Sequence, residues 1–81
     1  MSIGVIGAGA FGTSLAISLA AAGRDVVLWG RDAAAMAEMQ SARENARRLP
    51  GAGFPERLAA TGDFAEATAP DTLLLSVPMQ Q

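Results

Sequence analysis

Apolar positions along this chain fall into short runs, and the polar and glycine positions between them set the boundaries. Ser2–Ile6 is a β-branched run with IGVI at its centre that stops at a glycine, the pattern of a buried parallel strand. From Gly12 the chain turns alanine-rich. Leu15, Leu19 and Ala22 fall near helical spacing, and Gly23 is placed to close that helix. A second apolar run, 26–29, follows Arg24 and Asp25, which read as an exposed turn. Asp32 can cap a second helix. In it Met36, Met39, Ala42 and Ala46 recur every three or four residues, with Glu38, Gln40, Arg43 and Glu44 on the other faces.

The segment 49–55, LPGAGFP, holds two prolines and two glycines and reads as a loop. Beyond it, Leu58–Thr61 predicts a brief third strand, and Asp63 an N-cap for the short helix FAEAT. Pro70 and Asp71 form a turn, and 72–77, TLLLSV, is a fourth strand. The order β-α-β-α-β-α-β predicts an α/β fold whose parallel sheet carries helices on both faces, because crossovers between parallel strands are right-handed. The third strand should lie outermost on one side and the fourth beside the first. No repeat and no second domain is apparent.

GAGAFG, residues 7–12, fits G-x-G-x-x-G. Such a pattern alone is a weak signal, since glycine is common. Here it follows a strand directly, opens a helix and sits in a strand-helix-strand unit of about 30 residues, the context of a Rossmann-type dinucleotide site. Gly7 makes the tight turn, Gly9 lets the backbone approach a pyrophosphate, and Gly12 lets helix and strand pack closely. The backbone N–H groups of Ala10 and Phe11 then point at the phosphates. The Phe11 side chain reads equally as core or as a neighbour of the cofactor. At the end of the second strand an acidic residue would favour NAD, but Asp25 precedes that strand, at the wrong end of the sheet. Arg31 can instead meet a 2′-phosphate or stack on adenine, so NADP is favoured over NAD, with a solvated arginine as the alternative. Asp32 reads as a cap. Ser76, Val77 and Pro78 end the fourth strand at the ligand-facing edge, and Pro78 reads either as a cofactor contact or as a strand terminator.

Composition narrows the picture further. With 81 residues, a net charge of -2 and no lysine, the chain has no basic field of the kind nucleic acid or an anionic membrane surface requires. The lack of cysteine removes disulfides and thiolate chemistry and favours a reducing cytoplasm. Residues 2–23 carry no charge, but no basic residue precedes them, glycines interrupt them at the motif spacing and Thr13, Ser14 and Ser18 are poor lipid-facing residues. Without His, Cys, Lys or Tyr, the chain lacks nearly every side chain that serves as a general base near neutral pH. The carboxylates that remain form no recognisable constellation. Met36 and Met39 read as core, and Arg47 and Arg48 as solvated loop residues.

Taken in order, IGVIGAGAFGTSLA (3–16), VVLWGRD (26–32), NARRLPG (45–51) and LLLSVPMQ (73–80) make the whole chain resemble the N-terminal part of bacterial-type NAD(P)-dependent sn-glycerol-3-phosphate dehydrogenases. The resemblance implies hydride transfer between NAD(P)H and dihydroxyacetone phosphate, serving cytoplasmic phospholipid synthesis, and cofactor contacts at Ala10, Phe11 and Arg31. At the position of Arg48 the family commonly carries an aromatic residue, a departure in this chain. The family's catalytic lysine and substrate-binding residues lie beyond residue 81. The expectation is therefore a truncated dinucleotide-binding segment, inactive alone, whose unfinished sheet edge invites self-association. The alternatives are a stand-alone nucleotide-binding or interaction module, and another dehydrogenase of the same fold, against which NARRLPG argues.

Overall fold

The structure, a computed structural model, describes residues 2–76. Its elements follow in the order β1 (Ser2–Ile6), α1 (Ala10–Ala21), β2 (Asp25–Trp29), α2 (Ala33–Ala42), β3 (Leu58–Thr61), α3 (Phe64–Thr68) and β4 (Thr72–Leu75). All three strand pairs are parallel, and the sheet order is β3-β2-β1-β4. The chain therefore reverses its direction of travel across the sheet after β3, so that the carboxyl ends of β1 and β4 lie side by side.

Strand side chains alternate between faces, so the register assigns each residue to a side. Ile3, Val26 and Leu58 line up across the sheet, as do Val5, Leu28 and Ala60. Together with Ala16 and Ala20 of α1 and Met36 of α2 they form the main core. Burying a side chain the size of Leu28 or Met36 contributes roughly 1.5–3 kcal/mol. The opposite face carries Gly4, Ile6 and Trp29, against which α3 packs, and Leu75, which stays exposed. There Ala67 is fully buried, and the ring of Trp29 meets that of Phe64 edge to face at 5.2 Å. Helices thus occupy both faces, but unequally.

Three local expectations are corrected. In α1 the buried residues are Gly12, Thr13, Ala16 and Ala20, whereas Leu15 and Leu19 are half-buried and Ala22 is exposed. The helix rests on the sheet through its small residues because that stripe permits the closest approach. The second helix ends at Ala42, not Ala46: Arg43 takes a left-handed conformation, φ 59°, and its N–H donates to the Met39 carbonyl at 2.7 Å. Asp25 is the first residue of β2, exposed, and pairs with Arg57 at 2.8 Å. Gly23, φ 97°, does close α1.

Candidate functional site

At the carboxyl edge of the sheet, the exit from β1 is bound to its neighbours. Gly7 leaves the strand with φ 118°, a conformation L side chains rarely adopt, and its N–H donates to the Trp29 carbonyl at 2.8 Å. On the other side Ser76 N–H donates to the Ile6 carbonyl at 2.8 Å. Between these anchors the chain reverses through Ala8 and Gly9 into α1.

The closeness of that return is set by Gly12. A β-carbon there would lie 2.0 Å from the Gly7 carbonyl oxygen and 2.7 Å from Ser76 Oγ. Gly9 is the opposite case, because a β-carbon on it would meet nothing within 4 Å. One glycine faces protein and the other faces open space. Phe11 is 73% exposed, which removes the core reading of its side chain.

The three helix starts differ. Asp32 Oδ1 accepts from the Ala35 N–H at 3.1 Å, and Asp63 Oδ1 accepts from Ala65 and Glu66 N–H at 3.0 and 3.3 Å. Each supplies a negative group to the positive end of its own helix. At α1 the capping position is Gly9, no side chain caps the helix and no acidic residue stands in its first turn. Nearby, the buried Ser76 hydroxyl has no hydrogen-bond partner among the described residues.

Beside this turn runs a cleft of about 250 Å³, lined by Ala8, Gly30, Arg31, Asp32, Met36, Asn45, Arg47 and Arg48, with Ala35 and Met39 completing its wall. The floor is tight: a β-carbon on Gly30 would come within 2.6 Å of Met36 Sδ. Arg31 therefore shares a cleft with the glycine turn, as its position after β2 predicts. Arg47 and Arg48 are exposed, as expected, yet line the same cleft, which their composition alone did not signal. Pro78 and Val77 lie outside the described residues. Among the described residues there is no group of three or more His, Cys, Asp or Glu suited to a metal ion, and no helix is long and apolar enough to cross a membrane.

A sequence model of the family described as NAD-dependent glycerol-3-phosphate dehydrogenase N-terminus matches residues 2–81. The glycerol-3-phosphate dehydrogenase [NAD(P)+] of Ruegeria sp. (strain TM1040) is 54% identical over 81 residues, which is 100% of this chain and 25% of that protein. The enzyme of the same name from Azorhizobium caulinodans is 54% identical over 78 residues, 96% of this chain and 24% of its own length. Among solved structures, the crystal structure of glycerol-3-phosphate dehydrogenase from Coxiella burnetii matches with a TM-score of 0.86 and 37% identity, covering 91% of this chain and 23% of that one. The chain spans about a quarter of the length of the relatives it matches. It belongs to the family of NAD-dependent glycerol-3-phosphate dehydrogenase N-termini.

Proposed function

We propose that this chain is the dinucleotide-binding part of a cytoplasmic glycerol-3-phosphate dehydrogenase, that it holds NADP in preference to NAD, and that it does not turn over alone. The observation that carries the reading is the uncapped start of α1 beside the open Gly9, in a molecule whose other two helices each receive an aspartate. A cofactor pyrophosphate supplies the missing negative charge, so the residues fit such a group.

In this reading the N–H groups of Gly9, Ala10 and Phe11 donate to phosphate oxygens. Gly12 keeps α1 close enough to β1 for those donors to stand at the sheet edge. Arg31 faces the adenosine end from the cleft and favours a 2′-phosphate, with Arg47 and Arg48 adding positive charge along the same wall. A bound nicotinamide would supply the hydride exchanged with dihydroxyacetone phosphate. The chain has no His, Lys, Cys or Tyr to move the accompanying proton.

Calorimetry with NADP and NAD tests the binding claim. Arg31→Ala should weaken NADP by about tenfold, the worth of one charge-assisted contact of roughly 1.4 kcal/mol, and leave NAD nearly unchanged. An unaltered NADP affinity removes Arg31 from the site. Incubation with NADPH and dihydroxyacetone phosphate should give no oxidation, and turnover dependent on the chain would overturn the claim that it is inactive alone.

A further inference from the structure

Asn45 is the one amide side chain buried in the loop after α2, 1% exposed between the half-buried Glu44 and the exposed Ala46. A buried amide must satisfy its polar atoms, and this one does so across the molecule. Its Nδ2 donates to the Ala8 carbonyl at 3.1 Å and to Thr13 Oγ1 at 2.9 Å, and its Oδ1 accepts from the Arg48 N–H at 3.3 Å. Thr13 is itself fully buried, and its hydroxyl lies 3.5 Å from the same Ala8 carbonyl oxygen. Two donors therefore converge on one carbonyl of the glycine turn.

A trans peptide is planar, with its C=O and N–H pointing in opposite directions. Drawing the Ala8 oxygen inward toward Asn45 and Thr13 turns the Gly9 N–H the opposite way, outward from those two side chains, at a residue whose own β-carbon position is also open. This peptide joins Ala8 to Gly9, and the glycine on its C-terminal side leaves its rotation little restrained by side-chain sterics. A rotated peptide would present a carbonyl oxygen, the wrong sign for a phosphate.

The loop is built to hold its asparagine still. The left-handed Arg43 turns the chain back, Phe54 N–H donates to the Arg43 carbonyl at 2.7 Å, and Arg43 Nη2 donates to the Pro55 carbonyl at 2.9 Å. Glu44 pairs with Gly53 across the neck, and its Oε2 accepts from the Gly51 N–H at 3.0 Å.

We infer that Asn45 is a positioning residue for the phosphate turn, aiming the Gly9 N–H through the Ala8 carbonyl with Thr13 as its second support. The inference rests on the proposed pyrophosphate role of that turn. It is tested on the whole chain with Asn45→Ala and Thr13→Val, measuring affinity for NADPH by calorimetry and for adenosine by amide chemical shifts, with Trp29 near-ultraviolet circular dichroism reporting the fold. Asn45→Ala should weaken NADPH by about 10- to 100-fold and Thr13→Val by about 3- to 10-fold, in keeping with the loss of hydrogen bonds that orient a charge-binding donor. Adenosine, which has no phosphate, should change by less than about twofold, since a donor aimed at phosphate contributes nothing to it. Unchanged NADPH affinity in a variant with a native Trp29 signal, or an equal loss for adenosine, overturns the inference alone. If the unsubstituted chain binds no NADPH, the pyrophosphate reading fails and takes this inference with it. Should Asn45→Ala not fold, Thr13→Val decides.

Discussion

Gly12→Ala tests the packing of α1 against the strand exit. The added β-carbon would start 2.0 Å from the Gly7 oxygen and 3.2 Å from the Gly7 carbonyl carbon, both backbone atoms, and 2.7 Å from Ser76 Oγ. Ser76 could rotate away. Gly7 gives way less easily, because the atoms met are backbone and its N–H donates to the Trp29 carbonyl at 2.8 Å. Reaching an ordinary contact of 3.4 Å demands a shift of 3.4 − 2.0 = 1.4 Å. Such a shift lifts Thr13, Ala16 and Ala20 off the sheet they are buried against. Alanine gains up to about 1 kcal/mol over glycine in helix propensity, while overpacking a core typically costs roughly 1–3 kcal/mol and the partial loss of the α1 contacts adds to it. The steric term wins, and we expect a net loss of about 1–3 kcal/mol in urea denaturation followed by circular dichroism, with cofactor affinity falling in parallel.

Gly9→Ala is the control that separates packing from binding. Its backbone, φ -74°, suits alanine, and no protein atom lies within 4 Å of the new methyl. Less favourable capping and a less flexible unfolded chain nearly cancel, so stability should change by less than about 1 kcal/mol while binding of NADP drops sharply. A Gly12→Ala chain as stable as the original would refute the close approach. A Gly9→Ala chain with full affinity would refute the open space as the pyrophosphate's place.

Three further outcomes are expected. Met36→Ala empties the core beneath Gly30 and should cost about 2–5 kcal/mol, a large part of the roughly 4–12 kcal/mol available to a domain of this size; a loss below about 1 kcal/mol in the same denaturation assay would contradict full burial. Asp25→Ala removes an ion pair whose members are 56% and 64% exposed, so stability should fall by under about 1 kcal/mol and the difference should shrink in high salt. Because β4 is an edge strand with Leu75 76% exposed and Leu73 45% exposed, light scattering at high concentration should detect self-association, and Leu75→Lys should reduce it; a monomer at every concentration would count against pairing through this edge.

The parallel topology was readable because each strand is an apolar run ending at a glycine or polar turn, and because crossover handedness leaves few arrangements. The capping roles of Asp32 and Asp63 were equally legible, since a side-chain cap is a local contact. The end of α2 was not. Ala46 continues the spacing begun at Met36, and an arginine in the left-handed region carries no sequence signal; Arg43 is held there by Phe54 and Pro55, more than ten residues away in the chain. Asn45 escaped notice for the same reason, as its partners stand 32 and 37 residues earlier. Phe11 was ambiguous because one aromatic at a helix start has no periodicity to assign it a face, and only the packed structure shows it exposed.

The unequal cover of the two sheet faces gives the chain a gradient of persistence. β4 pairs with β1 alone, sends Leu74 to the main core, and leaves Leu73 and Leu75 exposed. It should be the first strand to exchange its amide hydrogens and the first to be reached by a protease. β1, β2 and β3 share the larger core with α1 and α2, and Asn45 joins the turn to the loop from that same side. Opening of β4 would thus leave the glycine turn standing, so protection of the Thr13 amide, which donates to the Gly9 carbonyl at 2.9 Å, and of the Ala16 amide further along α1 should outlast that of the β4 amides in native-state exchange.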